Sequence, residues 1–306
     1  MRPKTPPEYV EAYINASVTK AYMPTQKLYL MGVMAGAFVA IGAASASAAS
    51  HALTNIGVAK ALAGIVFPIG LMMIIFIGGE LFTGDTMMLM GAMHKHFTYT
   101  RMIRTLFWVY LSNLNGAVLI SFLVVNSGQY AYSANALGAY TIKVAVDKCN
   151  GSFTSLLISG ILCNVLVCVA VLMSMAAKDA TGKVFGFLFP IFAFVIAGYE
   201  HCVANMYYIP AGMQAARHEV YVEKAMELYG LTEQQIASMN ISNFFLGNLL
   251  PVTIGNIIGG MLFISMPLYI LHKDKLYKDP THREYLKVER ENKEIIEKEL
   301  HHSVEG

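Results

Sequence analysis

The chain has 306 residues, of which 56% are apolar and only 14% charged, with a mean hydropathy of +0.50 and a formal net charge of +2. Soluble domains carry about a quarter charged residues, so this composition excludes an ordinary soluble protein, and the small net charge gives no reason to expect a nucleic-acid partner. Cys149, Cys163, Cys168 and Cys202 form no CxxC pair, which speaks for small buried residues and against a disulfide framework or a zinc site.

In chain order, residues 1–27 are polar and proline-containing and do not read as a cleavable signal. A helix needs about 20 apolar residues to cross a bilayer. Stretches of that kind run over 28–49, 58–82, 105–125, 153–176, 184–207 and 243–271. They predict an all-α membrane protein with six transmembrane helices rather than a barrel, because each span must satisfy its own backbone in lipid. The first span, "LYLMGVMAGAFVAIGAASASAA", is rich in Gly, Ala and Ser, the residues that allow close helix packing in lipid. Residues 1–272 are expected to form the membrane domain and 273–306 a charged cytoplasmic tail. Basic residues gather on one side, in the N-terminal arm (Arg2, Lys4, Lys20, Lys27), after span two (Lys95, Arg101, Arg104), after span four (Lys178, Lys183) and at the start of the tail. That bias places both termini in the cytoplasm of a multi-pass cell-membrane protein.

The chain repeats itself. Span two reads "FPIGLMMIIFIGGE" and span five "FPIFAFVIAGYE"; Asn113 and Gly116 in span three recur at the same spacing as Asn256 and Gly259 in span six. Two halves of three spans each must have opposite topology, an inverted repeat, and such repeats characterise transporters and channels whose helices break near mid-membrane.

Polar residues cluster at two places. "GGELFTGD" (78–85) ends span two, and apolar "MMLMGAM" follows at once, which fits either a broken helix that resumes or an ordinary span end. In span five, Glu200 and His201 interrupt an apolar run that continues to Pro210. If the two breaks meet, Thr83 and His201 face one another in a pore whose helix N-termini favour an anion; otherwise His201 is a packed histidine bonded locally. Glu80 and Glu200 match in the repeat and fit two roles, carrying protons or bracing the break loops by accepting from free amides. Asn164 and Asn256 fit either a path lining or a bond between helices. Lys148, just before span four on the external side, would concentrate anions if it stood at a pore mouth.

Together "ELFTGD", "GILCNVLVCVAVLMS", "GYEHCVANMYYIPAG" and "NLLPVTIGNIIGG" resemble the formate–nitrite transporter family over residues 10–272. The resemblance implies an aquaporin-like protomer with the second and fifth helices broken, a homopentamer, and one anion pore per subunit. It implies Thr83 and His201 as the central pair. Leu71, Leu81 and Phe82 would form an inner constriction, Phe67 and Phe194 with nearby Val167 an outer one, and Asn164 and Lys148 the lining and the external vestibule.

The function expected is therefore passage of a small monovalent weak-acid anion, with hydrosulfide in the lead, formate or nitrite as alternatives, and a proton step at His201. A water- or glycerol-type channel lacks its paired Asn-Pro-Ala boxes here, and an enzyme lacks a nucleophile or metal cluster. No cofactor or metal is expected.

Overall fold

The computed structural model describes residues 2–276. The expected tail lies outside the described residues apart from 273–276, which continue the last helix.

Every described element is helical. A surface helix, α1 (Pro6–Ala21), leads into α2 (Thr25–Ser50); α3 (Ile56–Val66) and α4 (Ile69–Ile77) form the second span, separated only at Phe67-Pro68. Gly78, at φ 103°, ends α4 in a conformation that a side-chain-bearing residue rarely adopts, and the chain runs extended to Leu81. Short helices α5 (Phe82–Asp85) and α6 (Leu89–Met93) follow, joined by a 3₁₀ turn, and α7 (Tyr99–Asn126) is the third span. Helix α8 (Ala136–Cys149) leads into α9 (Phe153–Ala176), and α10 (Ala180–Ala197) stops at left-handed Gly198. A new helix, α11 (Cys202–Ala215), then starts after His201; α12 (Glu219–Tyr229) and α13 (Glu233–Ala237) lie between it and the last span.

That last span, Asn243–Leu276, is not uniform: α14 (Leu250–Ile258) sits between two π-helical stretches, Asn243–Leu249 and Gly259–Ser265, before α15 (Met266–Leu276). Pro251 cannot donate a backbone bond to the preceding turn, and the wider winding just before it absorbs that loss. Among the described residues six helices are long and apolar enough to span a bilayer, matching the expected six. Many of their large side chains face outward, among them Leu30, Ile65, Phe107, Phe122 and Phe263, as a lipid or subunit environment requires.

Glycines let the core helices touch backbone to backbone. A Cβ on Gly116 would lie 2.0 Å from the Val33 carbonyl oxygen where α7 crosses α2; a Cβ on Gly259 would lie 2.3 Å from that of Ile161, where the last span crosses α9. The two crossings set α7 and α14 at fixed positions behind the two places where helices stop and restart.

Candidate functional site: the buried centre between the helix ends

The stretch between α4 and α5 has few ways to satisfy its amides. Leu81 holds the N-cap position of α5 and has no side-chain acceptor. Asn113 of α7 fills the role: its Oδ1 accepts from Phe82 N at 2.9 Å, while its Nδ2 donates to Gly32 O (2.8 Å) and Glu80 O (2.9 Å). On the other side Asn256 of α14 repeats the pattern. Its Oδ1 accepts from Cys202 N at 2.9 Å, and its Nδ2 donates to Gly160 O (2.8 Å) and Glu200 O (3.0 Å). The same three kinds of group are satisfied in the same order, so each loop is clamped by one buried amide.

The glutamates do something else. The expectation that Glu80 and Glu200 accept from free loop amides is corrected here, because the asparagines hold those amides and the carboxylates turn to lysines. Lys148 Nζ donates to Glu200 Oε1 and Oε2 at 3.1 and 3.0 Å. Lys20 Nζ lies 2.5 Å from Glu80 Oε2 and 2.5 Å from Asp85 Oδ1. The picture of Lys148 as an open vestibule cation also changes. Its side chain is only 15% exposed, its charge is matched by Glu200, and its ammonium lies over the Tyr208 ring. Asn205 completes that network by donating to Glu200 Oε2 (2.6 Å) and Asn248 Oδ1 (2.8 Å), and Asn248 donates to Lys148 O.

Between the two clamped loops, Thr83 Oγ1 and His201 Nε2 meet at 2.9 Å, both side chains buried. His201 is also the N-cap of α11, its Nδ1 accepting from Ala204 N at 3.1 Å. An Nδ1 that accepts must be unprotonated, which assigns the hydrogen to Nε2 and makes Thr83 Oγ1 the acceptor. The Thr83 hydroxyl hydrogen is then the donor left over for a third group. Behind Thr83, Asn164 Nδ2 reaches Thr83 O (3.2 Å), Thr86 Oγ1 (3.1 Å) and Asn256 O (2.6 Å), joining the two halves. Cys168 Sγ lies 3.7 Å from Thr83 O; it and the other three thiols are buried.

Among the apolar residues singled out, Phe67 and Phe194 meet edge to face at 5.5 Å, and Phe194 stacks on the His201 ring at 6.0 Å. Phe82 packs instead against Tyr110, with ring centroids 4.8 Å apart. Leu71, Leu81 and Val167 are buried in the same apolar cluster as these rings.

Asn113, Lys20, Asp85 and Asn248 received no site role from the sequence. One signal marks Lys20: it stands five residues before Thr25, the start of α2, as Lys148 stands five before Phe153, the start of α9.

The fold and its centre define a six-span helical membrane protein with a buried, neutral hydrogen-bonded pair between restarted helices. A family model described as "Formate/nitrite transporter" matches residues 7–270, and the chain belongs to that family of membrane channels and transporters. It is 34% identical over 264 residues to the formate channel FocA of Haemophilus influenzae, covering 86% of this chain and 92% of that one. It is 30% identical to the FocA of Escherichia coli K12 over 260 residues, covering 84% and 90%. A solved structure titled "Pentameric formate channel with formate bound" superposes with a TM-score of 0.72 at 30% identity, covering 81% of this chain and 97% of that one.

Proposed function

We propose that this protein passes small monovalent anions of weak acids across the cell membrane, with formate as the first substrate, through a path within each six-span unit centred on Thr83 and His201. The buried 2.9 Å contact between those two side chains carries the proposal. The relatives named as formate channels favour formate over hydrosulfide, which stays as the alternative with nitrite. A pentameric relative supports a homopentamer, whose subunit contacts would cover part of the exposed apolar surface. Residues 1–272 are the conducting domain in this proposal, 273–306 is a separate tail, and both termini are cytoplasmic.

The two halves are read as inverted repeats with the second and fifth spans broken. Matching clamps by Asn113 and Asn256 support this, as does the end of α4 at Gly78 and of α10 at Gly198. Phe67, Phe194 and Val167 form the outer apolar ring, and Leu71, Leu81 and Phe82 the inner one.

An anion entering between such rings loses water at a cost of several kcal/mol. The Thr83 hydroxyl and the Nε2–H of His201 offset part of it by donating as the anion displaces their mutual bond. A proton relayed through His201 has to enter at Nδ1, because Nε2 already holds one. That position accepts the Ala204 N–H, so a relay includes transient loss of the α11 cap.

His201→Asn keeps a capping side chain and removes the ring. One hydrogen bond to a charged group is worth about 1.5–3 kcal/mol, so formate flux into liposomes should fall about tenfold or more. The pH dependence of the remaining flux should flatten; a variant with the parent's pH profile would exclude the proton step. Flux compared among formate, nitrite and hydrosulfide tests the substrate order, and hydrosulfide passing fastest would overturn the formate assignment.

A further inference from the structure

The two lysine–glutamate networks differ at one atom set. Asn205 follows Glu200 by five residues, and Asp85 follows Glu80 by five. On the Glu200 side the carboxylate receives Lys148 and the Asn205 amide, so one positive and one negative charge balance and each glutamate oxygen has a donor. On the Glu80 side the amide is replaced by a second carboxyl. Lys20 is the cation there, and Glu80 and Asp85 are buried to 5% and 1% side-chain exposure. Asp85 Oδ2 is buried and has no hydrogen-bond donor, and Glu80 Oε2 has only the Lys20 ammonium beside it, as an ion pair rather than an aligned hydrogen bond. The other titratable groups around the cluster are Tyr13 of α1, whose hydroxyl donates to Gly84 O, and Cys168 of α9. Neither supplies a positive charge. Two buried carboxylates held within 2.5 Å of one ammonium leave a net negative charge away from bulk solvent, and a carboxyl pair so placed cancels it by keeping one proton.

We propose that Glu80 and Asp85 share a single proton and form, with Lys20, a proton-binding site that does on the α1 side what the Asn205 amide does on the α8 side. With the proton in place the cluster is neutral, and the acid O–H supplies the donor that an asparagine supplies at Glu200. When the proton leaves, the two carboxylates repel and a negative charge appears beside the Leu81–Asp85 stretch that carries Thr83. An anion path at Thr83 would then be opposed from that side at alkaline pH; this transport consequence, unlike the proton itself, rests on the proposed function.

Infrared spectroscopy of the purified full-length protein tests the proton directly. A protonated-carboxyl stretching band that shifts in heavy water should be present at neutral pH, disappear on alkaline titration, and be lost in both Asp85→Asn and Glu80→Gln. Asn205→Asp should create a second such band by building the acid pair on the other side. In liposomes, parental formate flux should fall as the pH on the α1 side rises, and Asp85→Asn should abolish that fall. Absence of the band in the parent, or its survival in both variants, overturns the proposal. A band that behaves as stated in a protein that conducts no anion would sink the transport reading alone.

Discussion

Asn113→Ala is expected to prevent accumulation of folded protein, or to lower its melting temperature more than any substitution of a surface residue. The alanine removes the acceptor of Phe82 N and the donor to Gly32 O and Glu80 O. Each backbone group left buried without a partner costs about 1–3 kcal/mol, so even an incomplete loss comes to about 3 kcal/mol. That is a large share of the roughly 5–15 kcal/mol that keeps a typical domain folded. Asn115→Ala, two positions along the same helix but on its exposed face, provides the control and should melt within a few degrees of the parent. Thermal melting in detergent followed by size exclusion reads both. An Asn113→Ala protein that melts like Asn115→Ala would show that the clamp contributes nothing, and with it the account of how the Thr83 stretch is held.

Gly116→Ala should be comparably severe for a different reason. Its Cβ would stand 2.0 Å from Val33 O and 2.8 Å from Ala37 N, both main-chain atoms that no rotamer change can move. Overpacking of a side-chain core costs about 1–3 kcal/mol; displacing a helix backbone belongs at or above the top of that range. Gly247→Ala, where the nearest neighbour is Asn243 Cβ at 3.4 Å, should be neutral within about 0.5 kcal/mol. Equal melting temperatures for the two variants would mean that α2 and α7 separate more easily than their contact implies.

Much of this fold could be read before any coordinates. Long apolar runs announce spans, and Gly78 and Gly198 announce the ends of α4 and α10 because glycine tolerates the positive φ found at both. The meeting of Thr83 and His201 followed from supposing that two similar polar loops approach each other. What escaped was partner choice. A glutamate beside a glycine-rich loop is equally suited to bond an amide or a lysine, and the sequence distance from Glu80 to Lys20 carries no hint of which. Asn113 and Asn256 were visible as a repeated pair, yet a buried asparagine looks the same in sequence whether it clamps a loop or lines a path. The π-helical stretches around α14 were not foreseen either, since a winding change of one residue per turn leaves the apolar composition untouched.

The glycine crossings also govern where this molecule can move. Helices that shear past one another ride on a layer of side chains that can change rotamer and repack. Where the main chain of α7 rests directly on that of α2, and the last span on α9, no such layer exists. Sliding there would drive carbonyl oxygens into one another. The outer frame is therefore rigid at these crossings, while the short segments Gly78–Leu81 and Gly198–His201 are held mainly through side chains, Asn113 and Lys20 on one and Asn256, Lys148 and Ser159 on the other. Any rearrangement at the centre would then be a matter of a few backbone torsions and rotamers, on the scale of a latch rather than a hinge between domains.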